Sequence, residues 1–224
     1  MSYTFNAEKT AAEVIEWVKE YFEKNASPTT KAVIGISGGK DSSVAAAICV
    51  KALGKDRVIG VLMPQGEQAD IAFSKLLVKT LDIQSYTINI GDTMDAFMNE
   101  LGKNIEISNQ AKVNTPARIR MTTLYAVAAC VGGRVVNTCN LSEDWVGYST
   151  KFGDAAGDFA DDIRGRGRDH QNIGDTGMHG HGDMRDHFVI DKFIALGQLH
   201  IAVQCQDPAV FRGLEDVDLL EIAF

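Results

Sequence analysis

The sequence predicts an α/β fold: a parallel, twisted sheet with helices on both faces. Three observations predict it. Short apolar runs at about 31–36, 57–63, 84–90 and 134–138 have the length and composition of buried strands. The stretches between them are longer and patterned for helices, so each can serve as the crossover a parallel strand pair requires. The first run ends in two glycines and passes directly into the helix-like stretch 42–53. In sheets of this kind, ligands sit beyond the carboxyl ends of the strands. The loop at 37–42 and the segment at 138–143 both follow strands, and both can face that crevice.

The elements follow in order. Residues 7–24 place Ala11, Val14, Ile15, Val18 and Phe22 on one helical face, with Glu and Lys elsewhere, which predicts an amphipathic lead-in helix. The first strand covers about 31–36. The helix at 42–53 stops at Gly54, a residue suited to a helix C-terminus. The second strand is 57–63, closed by Pro64, and a helix at about 69–81 follows. The third strand is 84–90. A helix begins after Gly91 and Asp92 and ends near Gly102. Thr115 and Pro116 resemble a cap followed by proline at the first helical position, predicting a longer helix from there to about Val131. The fourth strand is 134–138.

The chain has 224 residues, 45% of them hydrophobic, which suits one sizeable core, or one domain with an appendage. Its net charge of −8 argues against broad binding to nucleic acid or membrane surfaces. No apolar run is long enough to span a bilayer, and no basic stretch leads into an apolar core at the N-terminus, so neither a span nor a signal peptide is expected. The cysteines Cys49, Cys130, Cys139 and Cys205 are widely spaced, which reads as reduced thiols in a cytoplasmic protein.

The most informative stretch is Ile36-Ser37-Gly38-Gly39-Lys40-Asp41-Ser42-Ser43. Two glycines let the backbone turn tightly and present bare amides. The helix N-terminus adds donors and the positive end of its dipole. Ser37, Ser42 and Ser43 contribute hydroxyls and Lys40 a cation, so the cradle suits a polyphosphate. Asp41 cannot face a phosphate directly, and therefore implies a bridging cation, Mg²⁺. The stretch is not a Walker A loop. That motif needs four residues between its first glycine and Gly-Lys, then Ser or Thr. Only three residues separate Gly35 from Gly39, and Asp41 follows Lys40. A generic glycine-rich turn would not need Ser, Lys, Asp and Ser together.

A second constellation follows the fourth strand. Glu143 lies five residues after Thr138, with Lys151, Asp154 and Asp158 beyond it. Alone, Glu143 reads as an exposed loop acid. Paired with the phosphate cradle, Asp41 and Glu143 form a two-carboxylate set for Mg²⁺, which takes few protein ligands and completes its shell with phosphate and water.

Ser37-Gly-Gly-Lys-Asp-Ser42 after a first strand resembles the pyrophosphate loop of the N-type ATP pyrophosphatases, which split ATP into AMP and pyrophosphate while adenylating a substrate oxygen. The loop alone leaves several members open, among them GMP synthetase and tRNA-modifying enzymes. Three further blocks narrow the resemblance to the NAD synthetases: Thr138-x-x-x-x-Glu143, Gly147-Tyr-Ser-Thr-Lys-Phe-Gly-Asp154, and Asn114-Thr-Pro-Ala-Arg118-Ile-Arg-Met121. This resemblance covers residues 1 to about 160. It implies an adenine nucleotide alpha hydrolase-like fold and a ligase that amidates deamido-NAD with ammonia and ATP, through an acyl-adenylate, to give NAD, AMP and pyrophosphate. It further implies ATP contacts from Gly35, Ile36, Ser37, Gly38, Gly39, Lys40, Asp41, Ser42 and Thr138, with Lys40 and Asp41 closest to the chemistry. Mg²⁺ would rest on Asp41 and Glu143, and deamido-NAD on Arg118, Lys151 and Asp158. A homodimer is also implied, with no amidase domain in the same chain, so that the ammonia is free or comes from a separate partner.

The resemblance stops after Asp158-Phe159-Ala160. Beyond this point arginine replaces lysine as the main cation, and all five histidines appear. We therefore divide the chain into a domain at 1–160 and a divergent tail at 161–224, frameshifted or chimeric relative to the family. The family's second ATP-closing loop has no counterpart there, and Gly167 stands where its lysine would fall. Three readings stay open: an NAD synthetase impaired by its tail, another ATP pyrophosphatase, or a remnant that binds ATP without closing its site. His179, His181, Asp183, Asp186 and His187 could group as metal ligands, but their glycine-rich flanks would position them poorly.

Overall fold

The computed structural model describes residues 6–68, 71–139 and 149–160. The chain opens with helix α1 (Ala7–Asn25), whose start is capped by the Asn6 side chain accepting from the Lys9 amide at 2.9 Å. Strand β1 (Lys31–Gly35) follows, then α2 (Lys40–Leu53), a single 3-10 turn at Lys55–Arg57, β2 (Val58–Leu62), α3 (Ile71–Thr80) and β3 (Gln84–Thr87). Helices α4 (Gly91–Gly102) and α5 (Asn109–Val131) lead to β4 (Gly133–Asn137) and a two-residue β5 (Phe159–Ala160).

The five strands form one parallel sheet in the order β3-β2-β1-β4-β5. From β1 the chain steps outward to β2 and β3, then returns to place β4 on the other flank of β1. The order therefore reverses between β1 and β4, and a crevice opens at such a reversal, beyond the carboxyl ends of the strands.

Strand periodicity sends alternate residues to opposite faces. Ala32, Ile34, Val58, Leu62 and Val136 pack with Val14, Val18 and Phe22 of α1 and Ala46, Ala47 and Ile48 of α2. Val33, Ile59, Val61 and Val135 pack on the other side against Met121, Leu124 and Ala128 of α5. Both faces are covered, as expected.

The differences lie at element ends. α2 begins at Lys40, two residues before the expected start, so Lys40 and Asp41 belong to its first turn and Gly39 is its N-cap. α5 begins at Asn109 rather than near Pro116, because Ser108 is the true cap: its hydroxyl accepts from the Ala111 amide at 3.2 Å. Pro116 lies inside the helix, where its ring leaves the Lys112 carbonyl without the usual donor. Thr115, expected as the cap, instead donates to the Ala111 carbonyl at 2.7 Å. β3 leaves the ladder at Thr87, although the amides of Ile88 and Ile90 still donate to Leu62 and Pro64. β5 was not foreseen; two residues are too few to leave a periodic signal. Residues 161–224, including the histidine group and Gly167, lie outside the described residues.

Candidate nucleotide site

The loop after β1 is shaped by its own hydroxyls. The Ser37 amide donates to Ser42 Oγ at 3.3 Å, and the two hydroxyls are 3.1 Å apart. Gly39 donates its amide to Ser37 Oγ, and its carbonyl accepts from Ser42 Oγ at 3.1 Å and Ser43 Oγ at 2.8 Å. Ser42 is only 2% exposed. These hydroxyls hold the loop in shape, and the open end of α2 presents its first-turn amides to the crevice. Gly38 adopts φ +82°, and a Cβ there would stand 3.0 Å from Ser74 Oγ on α3. Ser74 is buried beneath the turn and donates to the Ile36 carbonyl at 3.3 Å. No sequence motif marks Ser74, because the contact is purely tertiary.

At Gly35, the last residue of β1, a Cβ would stand 3.2 Å from Met63 Cε and 3.4 Å from Leu124 Cδ1, so α5 packs closely against this strand end. Lys40 and Asp41 stand half-buried at the mouth of the loop, and one carboxylate oxygen of Asp41 lies out of contact with solvent. A carboxylate beside a helix N-terminus is a hard oxygen donor of the kind Mg²⁺ takes. Its expected companion, Glu143, lies outside the described residues.

Across the reversal, β4 ends at Asn137 and Thr138 follows, half-buried. Asn137, 8% exposed, orders this tip: its side-chain oxygen accepts from the Cys139 amide at 2.7 Å. Thr138 and the 37–42 loop thus occupy neighbouring strand ends, as the sequence predicts.

Of the remaining expected residues, Lys151 lies on a compact turn at 150–156, Arg118 on α5 and Asp158 just beyond the turn. Asp154 accepts from the Thr150 amide at 2.9 Å, and the Gly153 amide donates to the Thr150 carbonyl at 2.8 Å. The turn rests on α5, where a Cβ on Gly153 would meet Ala117 Cβ at 2.9 Å. Arg118 Nε donates to the Lys151 carbonyl at 3.1 Å, so these two residues, distant in sequence, come together. Lys151 Nζ lies 5.0 Å from the ring centroid of Phe152, which is 63% exposed and holds φ +61°. Asp158 follows and pairs with the backbone of β4. Arg120 lies in the 114–121 stretch, where the sequence points to no role for it. Its Nε donates to the Met63 carbonyl at the β2 tip at 3.2 Å, and burial pushes the pKa of its guanidinium down.

With this geometry in view, the comparisons decide the family. The NAD synthase family model matches residues 10–163. The chain belongs to the NAD synthase family. The NH(3)-dependent NAD(+) synthetase of Pyrococcus furiosus is 38% identical over 155 residues, which is 69% of this chain and 57% of that protein. The Pyrococcus horikoshii protein of the same name is 40% identical over 147 residues, 66% of this chain and 56% of that one. The chain thus spans a little over half the length of the curated relatives it matches. Among solved structures, the NMN synthetase of Francisella tularensis aligns with a TM-score of 0.64 at 32% identity, covering 70% of this chain and 65% of that one. The NH3-dependent NAD synthetase of Campylobacter jejuni aligns at 24% identity with a TM-score of 0.67, covering 97% of this chain and 86% of that one, and has the same fold as the described residues. Among the described residues, no helix is long and apolar enough to cross a membrane.

Proposed function

We propose that the chain carries out the family's ATP-dependent amidation: deamido-NAD and ammonia give NAD, with ATP cleaved to AMP and pyrophosphate. The observation that supports this most is the serine-braced loop opening the N-terminus of α2 at the β1–β4 reversal, in a chain whose family match covers both flanks of that crevice. A carboxylate is a poor acyl donor because its leaving group would be an oxide. Its oxygen therefore attacks the α-phosphorus of ATP, the bond to the β-phosphate oxygen breaks, and pyrophosphate departs. Ammonia then adds to the acyl carbon of the adenylate, AMP leaves with the bonding pair, and the nitrogen loses a proton.

The chain's own contribution is positioning and charge. Lys40 and the first-turn amides of α2 meet the negative charge that grows on the departing pyrophosphate, with the 35–42 loop and Thr138 along the nucleotide. Asp41 and Glu143 would hold Mg²⁺, which neutralises phosphate charge when bound. Arg118 and Lys151 take the phosphates or carboxylate of deamido-NAD, and Asp158 serves the same side of the site. No nucleophilic side chain is required. The net charge of −8 fits a small-molecule enzyme of the cytoplasm, working as a homodimer on free ammonia.

The test is pyrophosphate release from ATP. Release that needs both deamido-NAD and ammonium, with NAD formed, supports the proposal. Release with a different acceptor would make the chain another member of the superfamily. ATP binding with no release under any condition would leave the remnant reading, in which residues 161–224 fail to close the site.

A further inference from the structure

We propose that Asn89 is a positioning residue for the nucleotide site: its side-chain amide stands in for the next rung of the β2–β3 ladder and holds the 63–66 segment as one wall of the crevice. The inference rests on the functional reading above for ATP as the ligand, and on geometry alone for the tie.

The paired stretch of β2 and β3 ends at Leu62 and Thr87. Two backbone bonds carry the contact further. The Ile88 amide donates to the Leu62 carbonyl and the Ile90 amide to the Pro64 carbonyl, both at 2.8 Å. Pro64 has no N–H to give in return. Gly66 then turns the chain away with φ +73°, a conformation that glycine takes at no steric cost. Here the Asn89 side chain takes over from the backbone. Its Oδ1 accepts from the Gly66 amide at 3.0 Å and its Nδ2 donates to the Gly66 carbonyl at 3.1 Å, so it pairs with Gly66 as a peptide group would. The same Oδ1 accepts from the Gly91 amide at 2.8 Å, one of the first-turn donors of α4 that have no partner within the helix. The packing is fitted to this tie: a Cβ on Gly91 would stand 2.9 Å from the Gly66 amide nitrogen and 3.0 Å from Asn89 Oδ1.

The segment held in this way borders the candidate site. Met63, its first residue, is the neighbour that a Cβ on Gly35 would meet at the end of β1. The Met63 carbonyl is taken by Arg120 of α5, so the 63–66 stretch is fixed at both ends, by Arg120 and by Asn89. β2 and β4 lie on opposite sides of β1. The segment therefore flanks the 37–42 loop on the side away from Thr138, and the two flanks bound the space for a nucleotide. A segment free to swing would leave fewer molecules competent to bind, and apparent affinity falls with the competent fraction. In Asn89→Ala, all three side-chain bonds are lost. In Asn89→Asp, the two acceptor bonds survive and only the donation to the Gly66 carbonyl is lost.

The test compares the full chain with both variants by amide hydrogen exchange at Gly66, together with titrations of ATP and of deamido-NAD. Positioning requires exchange at Gly66 to accelerate about tenfold in the alanine variant and to stay within about threefold of wild type in the aspartate variant. ATP affinity should fall in the same order, with deamido-NAD affinity much less changed. Unchanged exchange in the alanine variant overturns the proposal. Faster exchange with ATP affinity intact overturns it equally, because the segment would then be no part of the site. Equal losses of both ligands mark a general loss of structure and also count against it. If the aspartate variant loses ATP while Gly66 stays protected, Asn89 acts on the nucleotide itself and positioning is refuted. A wild-type chain that binds no ATP would refute the functional reading instead, and the exchange pattern would still decide the tie.

Discussion

The loop at 37–43 is braced from within: its side-chain bonds join residues two to five positions apart. The turn at 150–158 is braced from a distance, by Val135, Arg118, Tyr125 and Tyr21, which lie 23 to 137 positions away. The first region needs little more than the start of α2 and the Ser74 hydroxyl beneath it. The second exists only once α1, α5 and β4 are all in place. A loop of the first kind is carried by a short stretch of chain. The turn of the second kind is a property of the whole domain, and its integrity should track global stability.

Substitutions that break the distant braces should therefore cost more than those that break the local ones. The largest effect is expected for Gly157→Ala, because the new methyl group meets the backbone of β4 rather than a movable side chain. A loss of about 3 kcal/mol or more is expected, within the range of severe core disruptions, and urea denaturation would measure it. Gly38→Ala tests the local region. The φ of +82° and the nearby Ser74 hydroxyl make the new side chain strained, at about 1–2 kcal/mol. Its main signature should be weakened ATP binding, with a melting temperature lowered by only about 2–8 °C. If Gly38→Ala proves the more destabilising of the two, the contrast between the regions fails.

A finer comparison lies within the loop. Ser42→Ala removes a buried oxygen that serves Ser37 and Gly39, at about 1–2 kcal/mol. Ser43 makes a single bond to the same Gly39 carbonyl from a more open position. Ser43→Ala should cost under about 1 kcal/mol. Equal losses by chemical denaturation would mean that Ser42 is no special brace.

The smallest effect is expected at high pH. The Tyr125 phenol is pushed up to about 12, by burial first and then by Asp158, with Tyr21 adding to the rise and Arg134 opposing it. Its unfolded value is near 10. The neutral phenol is thus favoured in the folded chain, a contribution fully present below pH 10 and lost as pH rises toward 12. Tyr125 stands partly open to solvent, which keeps the effect modest. Spectrophotometric titration of wild type against Tyr125→Phe should show that Tyr125 ionises late, and the substitution should flatten the alkaline decline in stability.

The same contrast explains what could be read from the chain. Short apolar runs marked the four longer strands, and the Ser-Gly-Gly-Lys-Asp-Ser string marked the loop that opens α2, because local braces leave a local record. The sheet order reverses at β1 and β4, and Thr138 does reach that reversal. The start of α5 was misplaced because Thr115-Pro116 imitates a cap, while the working cap is Ser108, which accepts from the Ala111 amide, and Pro116 is carried inside the helix. Ser74, Arg120 and Asn137 carry no spacing signal at all, since each gains its role from a partner in a different element. The tie from Asp158 to Val135 left no trace in the sequence either, since no spacing marks a side chain that accepts from a strand amide 23 positions away.

The central claim is that the β1–β4 reversal grips ATP through the start of α2. Amide hydrogen exchange with and without ATP and Mg²⁺ tests it most directly. The account expects nucleotide-dependent protection at residues 37–43 and at Thr138, with the amides of α4 and the remote ends of β1 and β4 unchanged. Protection confined to another part of the sheet, or none at saturating ATP, would contradict it.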